Sequence, residues 1–126
     1  MERNRQAFAA ALLAASAPIV AGHAAAQTVY VSNERSSTVS VIDVAQGKVV
    51  GEWPVGKRPR GITFTRDGQH LLVAASADNA VELRDPASGA LIATLPSGAD
   101  PEQFFASYAG DLLFVANEDN AAVTAV

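Results

Sequence analysis

The chain reads as an all-β protein, a β-propeller of four-stranded antiparallel blades built on a 42-residue repeat. Three observations lead there. First, sliding the chain by 42 places lays it on itself without a gap: Val31, Val73 and Val115 align, as do Val39, Val81 and Val123. Second, the other shared positions are turn residues, pairing Asp43 with Asp85, Gly47 with Gly89, Pro54 with Pro96, Gly56 with Gly98, Pro59 with Pro101 and Gly68 with Gly110. Third, the fullest copy, Arg60 to Gly98, holds four short apolar runs separated by turn signals. A period near 42 with four strands per unit is the pattern of propeller blades.

Within that copy the strands are expected at Gly61–Thr65, His70–Ser76, Ala80–Asp85 and Ala90–Leu95. The breaks fall at Asp67-Gly68, Asp78-Asn79 and Pro86 to Gly89. Asp-Gly between two apolar runs favours a tight hairpin, because the turn needs positive φ. The copy before it supplies Thr28–Asn33, Thr38–Asp43 and Lys48–Trp53, ended by Pro54. It has no counterpart of Gly61–Thr65, so a strand from elsewhere is expected to complete it, as the far C-terminus does in closed rings. The copy after it stops at Val126, inside the strand equivalent to Ala80–Asp85. The repeat units are therefore 28–59, 60–101 and 102–126. A blade cannot cover both its faces alone, and fewer than about four blades do not close a ring. The expectation is an N-terminal portion of a larger ring, with assembly from several short chains as the alternative.

Met1 to Ala26 lies outside the repeats. Arg3 and Arg5 precede an apolar stretch from Ala7 to Val20, and Ala24-Ala25-Ala26 offers a small-x-small cleavage pattern before Gln27. This is the layout of a secretory signal peptide cleaved after Ala26. Its apolar core is shorter than the ~20 residues a membrane span needs. A periplasmic mature chain without a membrane span is expected.

The net charge of −4, with no basic stripe, gives nucleic-acid binding no electrostatic support. The absence of cysteine removes disulfides, thiolate metal sites, Cys nucleophiles and covalent c-type haem attachment from these residues. No metal site, catalytic constellation or phosphate loop is expected: His70 is the one mature histidine, placed at a surface strand entrance, and Lys57 to Gly61 lacks the ending of a P-loop.

Asp43, Asp67 and Asp85 sit where strands enter turns, where Asp accepts backbone N–H groups. The loops Asn33–Ser37, Ala77–Asn79 and Glu118–Asn120 join equivalent strands and so open on one side of the ring, with sequences that differ while the strands agree. Rigid scaffolds commonly carry binding specificity on such loops. The candidate binding residues are Asn33, Glu34, Arg35, Asp78, Asn79, Glu118, Asp119 and Asn120. The face is acidic; it suits a cation or a basic partner, and a merely solvated rim is the simpler alternative. The basic crossover Lys57 to Arg60 has an oppositely charged counterpart, Ala99 to Glu102. The two can pair between blades, and as exposed pairs they would contribute little. Trp53 reads as outer-strand core, with stacking on a planar quinone as the alternative, and Phe104-Phe105 as inter-blade core rather than a pocket.

Tyr30-Val31-Ser32-Asn33 followed by Thr38 to Asp43 resembles the repeat named after its Tyr-Val-Thr-Asn (YVTN) strand, and Pro59 to Ile62, Arg66-Asp67-Gly68 and Leu71 to Val73 match the same habit. Among such propellers the chain looks most like the secreted one associated with pyrroloquinoline-quinone (PQQ)-dependent alcohol catabolism. That resemblance implies about seven repeats, no cofactor of the chain's own, and quinoprotein dehydrogenase or transporter components as partners. It carries no catalytic residues over. The function expected is a secreted binding or scaffold protein, more an accessory than an enzyme. Two alternatives stay open: a propeller enzyme, quinoprotein dehydrogenase or lactonase-like, with its active site in other blades, and a surface-layer or adhesive propeller.

Overall fold

The computed structural model describes residues 27–126; the proposed signal peptide lies outside the described residues. Among the described residues ten strands form three antiparallel sheets. The first sheet holds β1 (Thr28–Asn33), β2 (Thr38–Asp43) and β3 (Lys48–Pro54). The second holds β4 (Pro59–Phe64), β5 (Leu71–Ala75), β6 (Ala80–Arg84) and β7 (Leu91–Pro96). The third holds β8 (Pro101–Ala106), β9 (Leu113–Asn117) and β10 (Ala122–Ala125). Each sheet is a meander in chain order. Among the described residues the middle unit has all four strands and the first has the outer three, as the repeat alignment requires.

The period governs the backbone as well as the side chains. Positive φ recurs at Gly47 and Gly89, at Gly68 and Gly110, and at the non-glycine trio Ser37, Asn79 and Ala121. The strand before each outermost strand shifts register at equivalent places, between Val41 and Ile42 in one sheet and between Leu83 and Arg84 in the next. Such a bulge bends the strand and increases its twist, which lets consecutive blades face one another.

Two apolar clusters glue the three sheets. Val39, with Tyr30, Trp53 and Val55 beside it, packs on Leu71, Val73 and Ile62 across the first interface. Leu72 and Val81, with Leu83 and Leu95, pack on Leu113, Val115 and Phe104 across the second. The reason lies in period-2 alternation: adjacent residues of β5 point to opposite blades, so every one of its five residues is buried. Trp53 is interface core. Its ring lies over Gly89, where any Cβ would collide with it, and Tyr30 sits 5.4 Å from it, centroid to centroid. The Tyr30 hydroxyl donates to the Pro86 carbonyl at 2.9 Å, and burial, then the Asp85 charge, raises its pKa.

The first interface also buries an ion pair. Arg84 Nε lies 2.8 Å from Glu82 Oε2, its Nη1 donates to the Gly89 carbonyl, and Glu82 Oε1 accepts the Gly56 N–H. Both carboxylate oxygens of Glu82, and Nε and Nη1 of Arg84, thus have partners, which is what makes a buried charge tolerable.

Candidate functional site: the charged loop rim

The crossovers β3–β4 and β7–β8 and the connections β1–β2, β5–β6 and β9–β10 meet at one end of the sheets. Backbone bonds clamp them together with the same period. Ser76 N–H donates to the Arg58 carbonyl at 3.2 Å, and one blade on Glu118 N–H donates to the Asp100 carbonyl at 2.9 Å. Ser76, in the one-turn 3-10 helix Ser76–Asp78, also donates its hydroxyl to the Pro101 carbonyl.

On this frame sits a six-residue charge cluster spanning all three sheets. Arg58 Nη2 lies 2.7 Å from Asp100 Oδ2, and its Nε lies 3.3 Å from Glu34 Oε1. Arg60 Nη1 pairs with Glu102 and lies 2.7 Å from Glu118 Oε2, while its Nε reaches Glu34 at 3.7 Å. Arg58 and Asp100 are one period apart, and so are Arg60 and Glu102. Each guanidinium therefore meets the residue that replaces it on the next blade. Ser32 positions β4 by donating its hydroxyl to the Arg60 carbonyl at 2.6 Å.

Here the sequence expectation is corrected. One member of the crossover pairs is buried: Asp100 is only 4% accessible, with its backbone N–H held by Asn79 Oδ1, while Arg58, Arg60 and Glu102 stay partly exposed. Arg58 and Asp100 both adopt left-handed backbone, φ 54° and 53°. For residues with a Cβ this costs on the order of 1–2 kcal/mol, so packing and the charge pair must hold it. Asp100 Oδ1 is buried with no hydrogen-bond partner among the described residues. Gly61 shows how close the innermost strands come, since a Cβ there would run into the Glu102 carbonyl.

The sequence-chosen loop residues divide into three groups. Glu34 and Glu118 join the cluster. Asn33, Asp78 and Asn79 brace the loops: Asn33 Nδ2 donates to Thr38 and Ser40, Asp78 Oδ2 accepts the Lys57 N–H, and Asn79 holds Asp100. Arg35, Asp119 and Asn120 are exposed and make no side-chain hydrogen bond among the described residues. Sequence reasoning did not select Arg58, Arg60, Asp100 and Glu102 for the site. The signal was the opposite charge at equivalent crossover positions, and what it lacked was the burial.

The remaining expectations concern turns and single residues. Asp43 and Asp85 are turn acceptors, taking the Gln46 N–H at 3.0 Å and the Ala87 N–H at 2.8 Å. Those bonds hold both carboxyls below the usual aspartate range, as the Thr65 hydroxyl and then the Gln69 N–H do for Asp67. His70 is partly buried at the entrance to β5. Phe104 belongs to the inter-blade core, whereas its neighbour Phe105 is exposed. Among the described residues no cluster of His, Cys, Asp or Glu has metal-holding geometry, and no helix is long and apolar enough to cross a membrane.

Residues 11–95 match the family model described as a lactonase, seven-bladed β-propeller. The chain belongs to this family. No curated protein matches it. Among solved structures it is similar to the hydrazine synthase of Kuenenia stuttgartiensis, at 25% identity and a TM-score of 0.71, covering 79% of this chain and 29% of that one. It is also similar to the dihydro-heme d1 dehydrogenase NirN in complex with DHE, at 19% identity and a TM-score of 0.64, covering 79% and 21%. The WD40 β-propeller domain of Doa1 matches at 14% identity and a TM-score of 0.64, over 79% and 33%. These likenesses establish the propeller fold. The chain spans about a third or less of the length of each of these three structures.

Proposed function

We propose that this member of the lactonase-type propeller family is an exported binding module whose working surface is the charged loop rim. The observation that carries the reading is the Arg60 hub. One guanidinium gathers carboxylates from the flanking sheets, Glu34 on one side and Glu102 and Glu118 on the other. Four carboxylates against two guanidiniums leave the cluster net negative, and the half-exposed Glu34 and Glu118 keep acceptor capacity turned to solvent. Such a surface suits a basic group on a partner protein. Complementary charge would speed encounter and fix orientation more than it would raise affinity. The resemblance to the PQQ-associated secreted propellers supports a quinoprotein alcohol dehydrogenase or a transport component as that partner, and a periplasmic site of action.

The test has two parts. N-terminal sequencing of the exported chain should begin at Gln27. The mature chain should then bind a quinoprotein alcohol dehydrogenase with an affinity that falls as NaCl rises, and Glu34→Gln with Glu118→Gln should weaken it. Absence of salt-sensitive binding to that enzyme would sink the partner assignment.

The family match favours a second reading, a lactone-hydrolysing propeller with the same rim at its active site. Proton release from a panel of sugar lactones, followed at constant pH, separates the two. Turnover that disappears in Arg60→Gln would favour the enzyme.

A further inference from the structure

The apolar cores of the two interfaces are copies of each other. Val39 packs on Leu71 and Val73 at the first, and Val81 packs on Leu113 and Val115 at the second, one period on. Apolar burial is non-directional, so this core by itself does not say which blade follows which. Docking on the wrong unit, within a chain or between chains, is a characteristic failure of repeat proteins.

The second interface discriminates where its core does not. Four of its contacts join a residue of the middle sheet or its crossover to the residue 42 places on. Arg58 Nη2 lies 2.7 Å from Asp100 Oδ2, and Arg60 Nη1 pairs with Glu102. Gly61 lies against the backbone of Glu102 and Gln103. Beyond β4, the Arg66 guanidinium stands 4.7 Å from the centroid of the Tyr108 ring. Position therefore meets the same position on the next blade, and a blade laid on a copy of itself sets like on like. Two middle sheets would put Arg58 against Arg58 and Arg60 against Arg60. Two third sheets would put Asp100 against Asp100 and Glu102 against Glu102. Like charges so placed repel, and Asp100 is buried where salt screens least. The reversed order, third sheet before middle sheet, would keep the opposite charges. There Gln103 would take the place of Gly61, where a Cβ runs into the backbone of the facing strand.

We propose that these residues are an address that fixes blade order. Opposite charge at Arg58/Asp100 and Arg60/Glu102 rejects a blade's own copy, and Gly61 rejects the reversed order. Setting register among similar packings is the best-attested use of buried ionic groups. The role is separate from partner binding at the rim and stands whether or not a partner docks there.

Cross-linking during refolding tests this. The chain has no cysteine, so Arg66→Cys in the mature chain gives one thiol, at a point where a middle blade stacked on its own copy brings two thiols together. After refolding from urea at high protein concentration, a short bismaleimide then counts like-on-like stacking as covalent dimer. Three chains carrying that thiol are compared. One keeps its charges. One loses them through Arg58→Gln, Arg60→Gln, Asp100→Asn and Glu102→Gln. One exchanges their signs through Arg58→Asp, Arg60→Glu, Asp100→Arg and Glu102→Arg. The cross-linked dimer should rise several-fold in the neutral chain and return to the starting level in the exchanged one. Near-UV dichroism of Trp53, at the other interface, checks that each chain has folded. The chain with its own charges, refolded in about 1 M NaCl where the screening length falls to about 3 Å, repeats the test with the crossovers untouched, and its dimer should rise too. No rise in the neutral chain or in salt overturns the proposal. So does an exchanged chain that cross-links as much as the neutral one, since sign would then not be what rejects the wrong blade.

Discussion

The middle sheet and its two neighbours share one sequence pattern and differ in their surroundings. The middle sheet is packed on both sides, and β5 buries all five of its residues. In β1, at the same positions, no residue is fully buried. In β9 burial alternates, with Leu113, Val115 and Asn117 inside and Phe114 and Ala116 outside. The same side chains thus do different work depending on whether a neighbouring blade is present. Stability in a repeat protein resides at the interfaces between units as much as in the units, and the middle sheet owns a share of both.

The largest break in that comparison should come at the buried ion pair, which only the middle sheet has. Its counterparts are Ser40 with Ile42 and Thr124 with Val126. Glu82→Leu strands Arg84 without its carboxylate and should destabilise the fold by about 3–5 kcal/mol, read from urea denaturation.

A slightly smaller loss is expected from the core. Leu71→Ala, at a position 1% accessible, should cost about 2–5 kcal/mol through lost burial and a cavity. Val29→Ala, its counterpart on the first sheet, should shift the same curve far less in dilute solution.

On the rim, Asp100→Ala should cost about 1–3 kcal/mol, since it removes a buried charged partner and leaves Arg58 with only the exposed Glu34. Glu118→Ala removes an exposed partner and should cost at most about 1 kcal/mol. A double-mutant cycle on Arg58 and Asp100 against one on Arg60 and Glu118 would show that the buried pair couples more strongly. Equal coupling would mean that burial does not distinguish them.

The turns should give a smaller, pH-dependent signal. The carboxyls of Asp43, Asp67 and Asp85 are held below the ordinary range by the N–H and O–H groups they accept. A depressed folded-state pKa adds stability above the unfolded value of about 3.9, and that contribution is lost as pH falls through the folded-state value. The urea midpoint should therefore drop on acidification through this range, and Asp43→Asn with Asp85→Asn should flatten the decline. The smallest effects belong to Val50→Thr and Ile92→Thr, exposed on both sheets alike, each expected within about 0.5 kcal/mol of wild type.

Much of the fold was legible before the structure. The bounds Thr28–Asn33 and Thr38–Asp43 are those observed, and the middle unit has its four strands with ends moved by one or two residues. The innermost strands begin earlier than expected, at Pro59 and Pro101. Both prolines are buried and lead the strand, a position where no ladder N–H is needed. The candidate site was legible only in part. Glu34 and Glu118 stood out because they sit in loops of differing sequence. Arg58 and Asp100 did not, since a crossover rich in charge looks solvated until its burial is known. The left-handed backbone at those two residues carries no sequence mark either, because neither is glycine.

The sequence by itself determined the repeat, the strands, the turns and the propeller class, because each rests on local rules. Strands follow period-2 apolar runs, turns follow positive-φ residues, and a 42-residue offset needs no third dimension to be seen. Only the tertiary structure decided which charges meet and which carboxylate is buried. Those depend on how far one blade turns against the next. Across each interface the contact is the packing of Val39 on Leu71 and Val73, and of Val81 on Leu113 and Val115, which join residues far apart in the chain.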